Sequence, residues 1–79
     1  MAKAFIMITA EPSETQRIGE RLRNMRGAVV YEVLGPFDFI VDMEADTPED
    51  LTSTLRNNVR SISGVSATLT CTVIEDKDK

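Results

Sequence analysis

The spacing of apolar positions changes several times along the chain, and each change marks an element. AKAFIMITA (residues 2–10) is apolar or β-branched almost throughout and predicts a strand covered on both faces, as in the interior of a packed sheet. From Ser13 the spacing becomes helical, with Ile18, Leu22 and Met25 at i, i+4 and i+7 among arginines and glutamates. Ser13 and Gln16 have the spacing of a capping box, and Gly27 supplies the stop. AVVYEVL (28–34) predicts a second strand closed by a Gly35-Pro36 turn. In the third strand Phe37, Phe39, Val41 and Met43 alternate with Asp38, Ile40, Asp42 and Glu44, one apolar face against one mixed. ADTPEDL then opens a second helix: Thr47 is the N-cap, Pro48 the first helical position, and Glu49 and Asp50 sit in the first turn, where the helix dipole favours negative charge. Leu51, Leu55, Val59 and Ile62 share one face of it, and Gly64 ends it. VSATLTCTVI (65–74) is the last strand, and EDKDK (75–79) reads as a frayed charged tail.

The order β-α-β-β-α-β, in which each half is a strand, a helix ending at glycine and a second strand, is a weak internal repeat of the split βαβ kind. Right-handed crossovers make this an α+β, ferredoxin-like domain, a four-stranded antiparallel sheet with two helices on one face. The other sheet face is then bare. The first strand carries apolar side chains in both sets, Ala4, Ile6 and Ile8 in one and Phe5 and Met7 in the other. Whichever set faces the helices, the second set leaves an apolar patch of the kind that marks an interaction surface, so pairing by sheet face or sheet edge into at least a dimer is expected.

With 79 residues, 1–79 forms one small domain, and a chain of this size buries only about 60–65% of the surface its unfolded form exposes. Self-association is a common further source of buried area at this size. A net charge of −4 argues against direct nucleic-acid binding. The basic cluster Arg17, Arg21, Arg23 and Arg26 has helical spacing and reads as a solvated helix face. Cys71, the single cysteine, reads as a small buried side chain in a reducing compartment. No apolar run approaches membrane-spanning length and no leader pattern is evident, so no membrane partner and a cytoplasmic location are expected.

The chemistry needed for an enzyme is sparse. There is no histidine, and no nucleophile, phosphate-loop or dinucleotide motif, so no catalytic residue, metal or cofactor is expected. Asp38, Asp42 and Glu44 share one side of a strand, which suits a hard cation or acid–base pair, but acidic residues alternating with apolar ones are far more often a solvated face. Thr68, Thr70 and Thr72 share a face at period two. They are good strand formers, and their hydroxyls can also line a small polar pocket for the amino and carboxylate groups of a zwitterion. Gly35 both relieves the restriction on a pre-proline residue and lets a ligand or neighbouring subunit approach the backbone.

The hairpin YEVLGPFDFIVDMEA, the helix after it and SISGVSATLT together resemble the effector-sensing (RAM) domain of the leucine-responsive regulatory protein/AsnC family. The resemblance rests on the glycine turn into an aromatic-Asp pair, Gly35-Pro36-Phe37-Asp38, and on Gly64-Val65 followed by threonines at alternate positions, Thr68 and Thr70. It spans about Ala4 to Ile74. It implies a domain that dimerises through its sheet and assembles into rings, octamers or decamers, with an amino acid or similar small effector at the interfaces between dimers. Carried over by position, the site comprises Gly35, Pro36, Phe37 and Asp38, Asp46 ahead of the second helix, and Thr68 and Thr70, with Tyr31 and Val33 as walls. Full-length members carry an N-terminal helix-turn-helix domain, whereas this chain starts at the first strand of the sensing domain. The expectation is therefore a stand-alone amino-acid sensing domain linked to transcription regulation. The alternative is an assembly partner that co-oligomerises with full-length regulators without binding a ligand.

Overall fold

The computed structural model describes residues 1–74, so the charged tail at 75–79 lies outside the described residues. Its elements are β1 (Ala2–Ala10), α1 (Thr15–Arg23), β2 (Ala28–Glu32), β3 (Phe39–Ala45), α2 (Pro48–Thr54) and β4 (Val65–Thr72). The strands form one antiparallel sheet in the order β2-β3-β1-β4, with α1 against β2 and α2 against β1 and β3, which is the ferredoxin-like arrangement. Among the described residues no helix is long and apolar enough to cross a membrane.

Register decides which side chains meet the helices. Ile6 pairs with Val41 on one side and Thr70 on the other, and Ile8 with Phe39 and Thr68. Ala4, Ile6, Ile8 and Ala10 are buried, as are Phe39, Val41 and Met43, and they pack with Ile18 and Leu22 of α1 and with Leu51, Val59 and Ile62. Each large apolar side chain buried in this way contributes about 1.5–3 kcal/mol relative to exposure. The other set on β1 is covered by nothing in the chain, and Phe5 stays 37% exposed. The expectation of a first strand covered on both faces therefore holds for the helix side alone.

Three local features differ from the sequence pattern. The capping box does not form: a 3-10 turn over Pro12–Glu14 leads into α1, and no side chain caps it. Pro12 fixes the backbone dihedral and starts the turn early, so Ser13 lies inside the turn rather than ahead of a helix. Cys71 is exposed, not buried, because β4 is an edge strand and the alternation that sends Thr70 to the helix side sends Cys71 to the bare face opposite Phe5. The second helix is not α-helical to its end. Thr47 caps it as the pattern predicts, its Oγ1 accepting the Asp50 N–H at 3.0 Å. Leu55–Val59 then winds as a π turn, closed by the Arg60 N–H donating to the Leu55 carbonyl at 2.9 Å.

The strands are also shorter than the pattern suggests. β2 ends at Glu32, although the Val33 N–H still donates to the Asp38 carbonyl at 3.0 Å, and β3 begins at Phe39, which leaves Phe37 in the turn. α1 stops at Arg23, ahead of Gly27, which instead turns the chain into β2 with φ +80°. A Cβ on Gly27 would lie 2.7 Å from the Glu44 carbonyl oxygen, while the Gly27 carbonyl accepts the Glu44 N–H at 2.9 Å. Gly27→Ala is expected to cost at least about 1–3 kcal/mol in urea denaturation, from the left-handed backbone together with the clash. An unchanged midpoint would show that the turn has another way to close.

Candidate functional site

The register places the hairpin turn, Ala10 and Thr68 at one end of the sheet. Ile8 pairs with both Phe39 and Thr68, so the residues before Phe39 and the start of β4 flank the same stretch of β1. Just beyond this row the pairing of β1 with β4 slips between Thr9 and Ala10, and the Ala10 amide leaves the regular ladder. Asp38 answers it. Its backbone N–H donates to the Ile8 carbonyl at 2.8 Å, and its carboxylate Oδ2 accepts the Ala10 N–H at 2.8 Å. The aspartate between two aromatics is thus a side-chain substitute for a missing ladder bond. Phe39 is fully buried and Phe37 half-buried at the turn.

Gly35 and Pro36 are exposed at the tip of this hairpin. Nothing lies within 4 Å of where a Gly35 Cβ would sit, and its φ is outside the left-handed region. No contact or backbone requirement within the chain demands glycine there, which leaves close approach from outside as its physical use. Tyr31 pairs with Ile40, is 55% exposed and belongs to the bare face; Val33 is half-buried beside the turn.

Thr68 and Thr70 lie on the helix side of the sheet, but β4 is its outer strand, so Thr68 is half-buried and Thr70 and Thr72 are exposed. Thr68 lines a cavity of about 310 Å³ together with Arg60, Val65, Ser66 and Ala67. Arg60 and Ser66 are absent from the sequence-derived set. Ser66 was findable, since it extends the alternation of Thr68 and Thr70 one step back. Arg60 carried no such signal, because its place depends on the π turn before it. Asp46 is not brought to this end. It follows Ala45, which pairs with Ala2 at the far end of the sheet, about 20 Å away along seven residues of β3. A second cavity, of about 380 Å³, follows the outer side of α2 from Pro48 to Asn57 and includes none of these residues.

The bare face has its own structure. Phe5, Val29, Tyr31 and Leu69 are all more than a third exposed. At its centre Lys3 Nζ lies 3.6 Å from Asp42 and 3.9 Å from Glu44, and 5.7 Å from the centroid of the Phe5 ring. Asp42 Oδ1 is buried without a hydrogen-bond partner. Asp38, Asp42 and Glu44 therefore do not converge on one point: the first holds the Ala10 amide and the other two share Lys3.

A ferredoxin-like sheet with an exposed glycine turn and a hydroxyl-lined edge strand at one end defines a small ligand-binding domain. Residues 3–79 match the family model of the Lrp/AsnC ligand binding domain, and the chain belongs to that family. It is similar in structure to TTHA0845 from Thermus thermophilus, with 25% identity, a TM-score of 0.93 and 100% of both chains covered. It is likewise similar to FFRP-DM1, with 29% identity, a TM-score of 0.89, and 94% of this chain and 100% of that one covered. The transcriptional regulator NMB0573 from Neisseria meningitidis, solved as an L-Met complex, shares the fold at 14% identity and a TM-score of 0.83, over 99% of this chain and 53% of the regulator. This chain thus spans about half of that protein. No protein of curated function matches the chain.

Because Ala10 is only 6% exposed, removing the Asp38 carboxylate strands a buried amide. Asp38→Ala is expected to lose about 1–3 kcal/mol of stability. Asp38→Asn, which keeps an acceptor oxygen, should retain most of it. Urea titrations of the two variants that coincide would remove the hydrogen bond from the account.

Proposed function

We propose that this chain is a sensing domain linked to transcription regulation, which binds a small zwitterionic effector, an amino acid in the first instance, at the Gly35–Asp38 end of its sheet. One observation carries the reading: in a chain of the Lrp/AsnC ligand binding family, the exposed glycine turn and the Thr68 edge flank the same stretch of β1. The crowding-free Gly35 supports it, since a glycine with no internal need is one that a ligand or second chain can approach. The L-Met complex of NMB0573 makes L-methionine a natural member of the first ligand panel.

In this reading the domain works as an oligomer. Phe5, Val29, Tyr31 and Leu69 form an apolar surface around a charged centre, and a second copy brings the same surface in self-complementary form, as a two-fold interface requires. Dimers then join further into a ring. Asp46, distant from the turn within its own chain, would enter a shared site only from a neighbouring copy.

Calorimetric titration with the twenty amino acids should find saturable binding for at least one, weakened about tenfold or more by Thr68→Val. Heat from none of the twenty would overturn the sensing reading. In sedimentation the wild-type chain is expected to run as a dimer or larger at micromolar concentration, and Phe5→Glu, which places a charge in the apolar face, to run as a folded monomer. A monomeric wild type would end the pairing argument.

A further inference from the structure

The geometry points to Arg60, Thr68 and Ser66 as the set that recognises the charged backbone groups of the effector, its carboxylate and its ammonium. This rests on the sensing reading above and adds the residues that would set the class of ligand. Their cavity is made by backbone features. The Arg60 N–H reaches back to the Leu55 carbonyl and completes the π turn, and the Val65 N–H donates to the Ile62 carbonyl at 3.2 Å, so the start of β4 folds back beside the helical segment. Gly64, with φ +98°, makes the reversal. Arg60 and the first residues of β4 then line one space of about 310 Å³, at the small end of the range for small-molecule sites.

The three polar groups are in different hydrogen-bonding states. Arg17 and Arg23 are paired with Glu14 and Glu32; among the described residues Arg60 has no such ion pair. Its guanidinium is a permanent cation whose planar fork fits a carboxylate with two parallel bonds. The Ser66 hydroxyl donates its one proton to the Thr9 carbonyl at 3.1 Å, so towards a ligand it can only accept. The Thr68 hydroxyl makes no hydrogen bond among the described residues and is free to donate. A cation and a free donor suit a carboxylate, and a fixed acceptor beside them suits an ammonium. An α-amino acid carries those two groups on adjacent atoms, whereas an amine or an amino-acid amide leaves Arg60 without its partner.

The test uses the full chain. Each of the twenty L-amino acids is titrated into the wild type by calorimetry, and the tightest binder and its C-terminal amide are then titrated into wild type, Arg60→Gln and Arg60→Lys. The free amino acid should bind Arg60→Gln at least about tenfold more weakly than wild type, with partial recovery in Arg60→Lys. The amide should bind wild type at least about tenfold more weakly than the acid does, and should lose little more in Arg60→Gln, a coupling that a merely structural arginine would not produce. Arg60 is exposed, so these variants are expected to keep the fold. If the free amino acid binds Arg60→Gln as tightly as wild type, the assignment is overturned and the sensing reading stands. If no amino acid binds the wild type, both fall.

Discussion

β1 is hydrogen-bonded along both edges, to β3 and to β4, and one set of its side chains, Ala4, Ile6, Ile8 and Ala10, faces the helix layer. Everything else takes its position from that strand. Because side chains alternate, a slip of one residue would exchange Ile6 and Ile8 for Phe5 and Met7 and turn the sheet inside out. The alanines at either end of the buried row keep the sheet close to the helical layer, while the isoleucines fill its centre. The same alternation explains why the domain has two dissimilar faces, one filled by Phe39, Ile18, Leu22 and Val59 and the other crossed by Lys3, Asp42 and Phe5.

The end of β1 is where regular pairing stops, and the irregularity there is useful. A bulge frees the Ala10 amide, Asp38 takes it up, and the hairpin is tied to the central strand by a side chain rather than by the ladder. The turn beyond can then project Gly35 and Pro36 into open space without fraying the sheet. Rigid support directly beneath an exposed loop is what a binding site on a loop requires.

Much of this was legible in the chain itself. The Thr47-Pro48 cap, the buried row Phe39, Val41 and Met43, and the order of six elements follow from local rules that tertiary contacts reinforce. Ser13 misled because Pro12 beside it imposes its own geometry, and a capping motif cannot be read without its neighbour. Cys71 misled because burial depends on which strand ends up at the sheet edge, a property of topology rather than of residue type. The two states of Gly35 and Gly27 show the same limit: identical residues, one demanded by φ +80° and a carbonyl oxygen too close to admit a Cβ, the other by nothing inside the chain. For the candidate site, the turn and the threonines were visible as motifs. Arg60 was not, since spacing rules assume one helical period and the chain changes period just before it.

That change of period bears on what lengths the second half of the domain can tolerate. A π turn is a single residue accommodated inside a helix, with the surplus absorbed where the i→i+5 bond closes over Leu55. Deleting one residue from LRNNV would restore the ordinary winding and rotate whatever follows by about 100° relative to what precedes. The pivot lies between Leu51, packed against the sheet, and the Ile62–Gly64 reversal into β4. Insertions and deletions in this helix are therefore not neutral changes of length: a single residue acts as a dial that sets which side chain faces β4, and so the chemistry that relatives of different helix length can present at that edge.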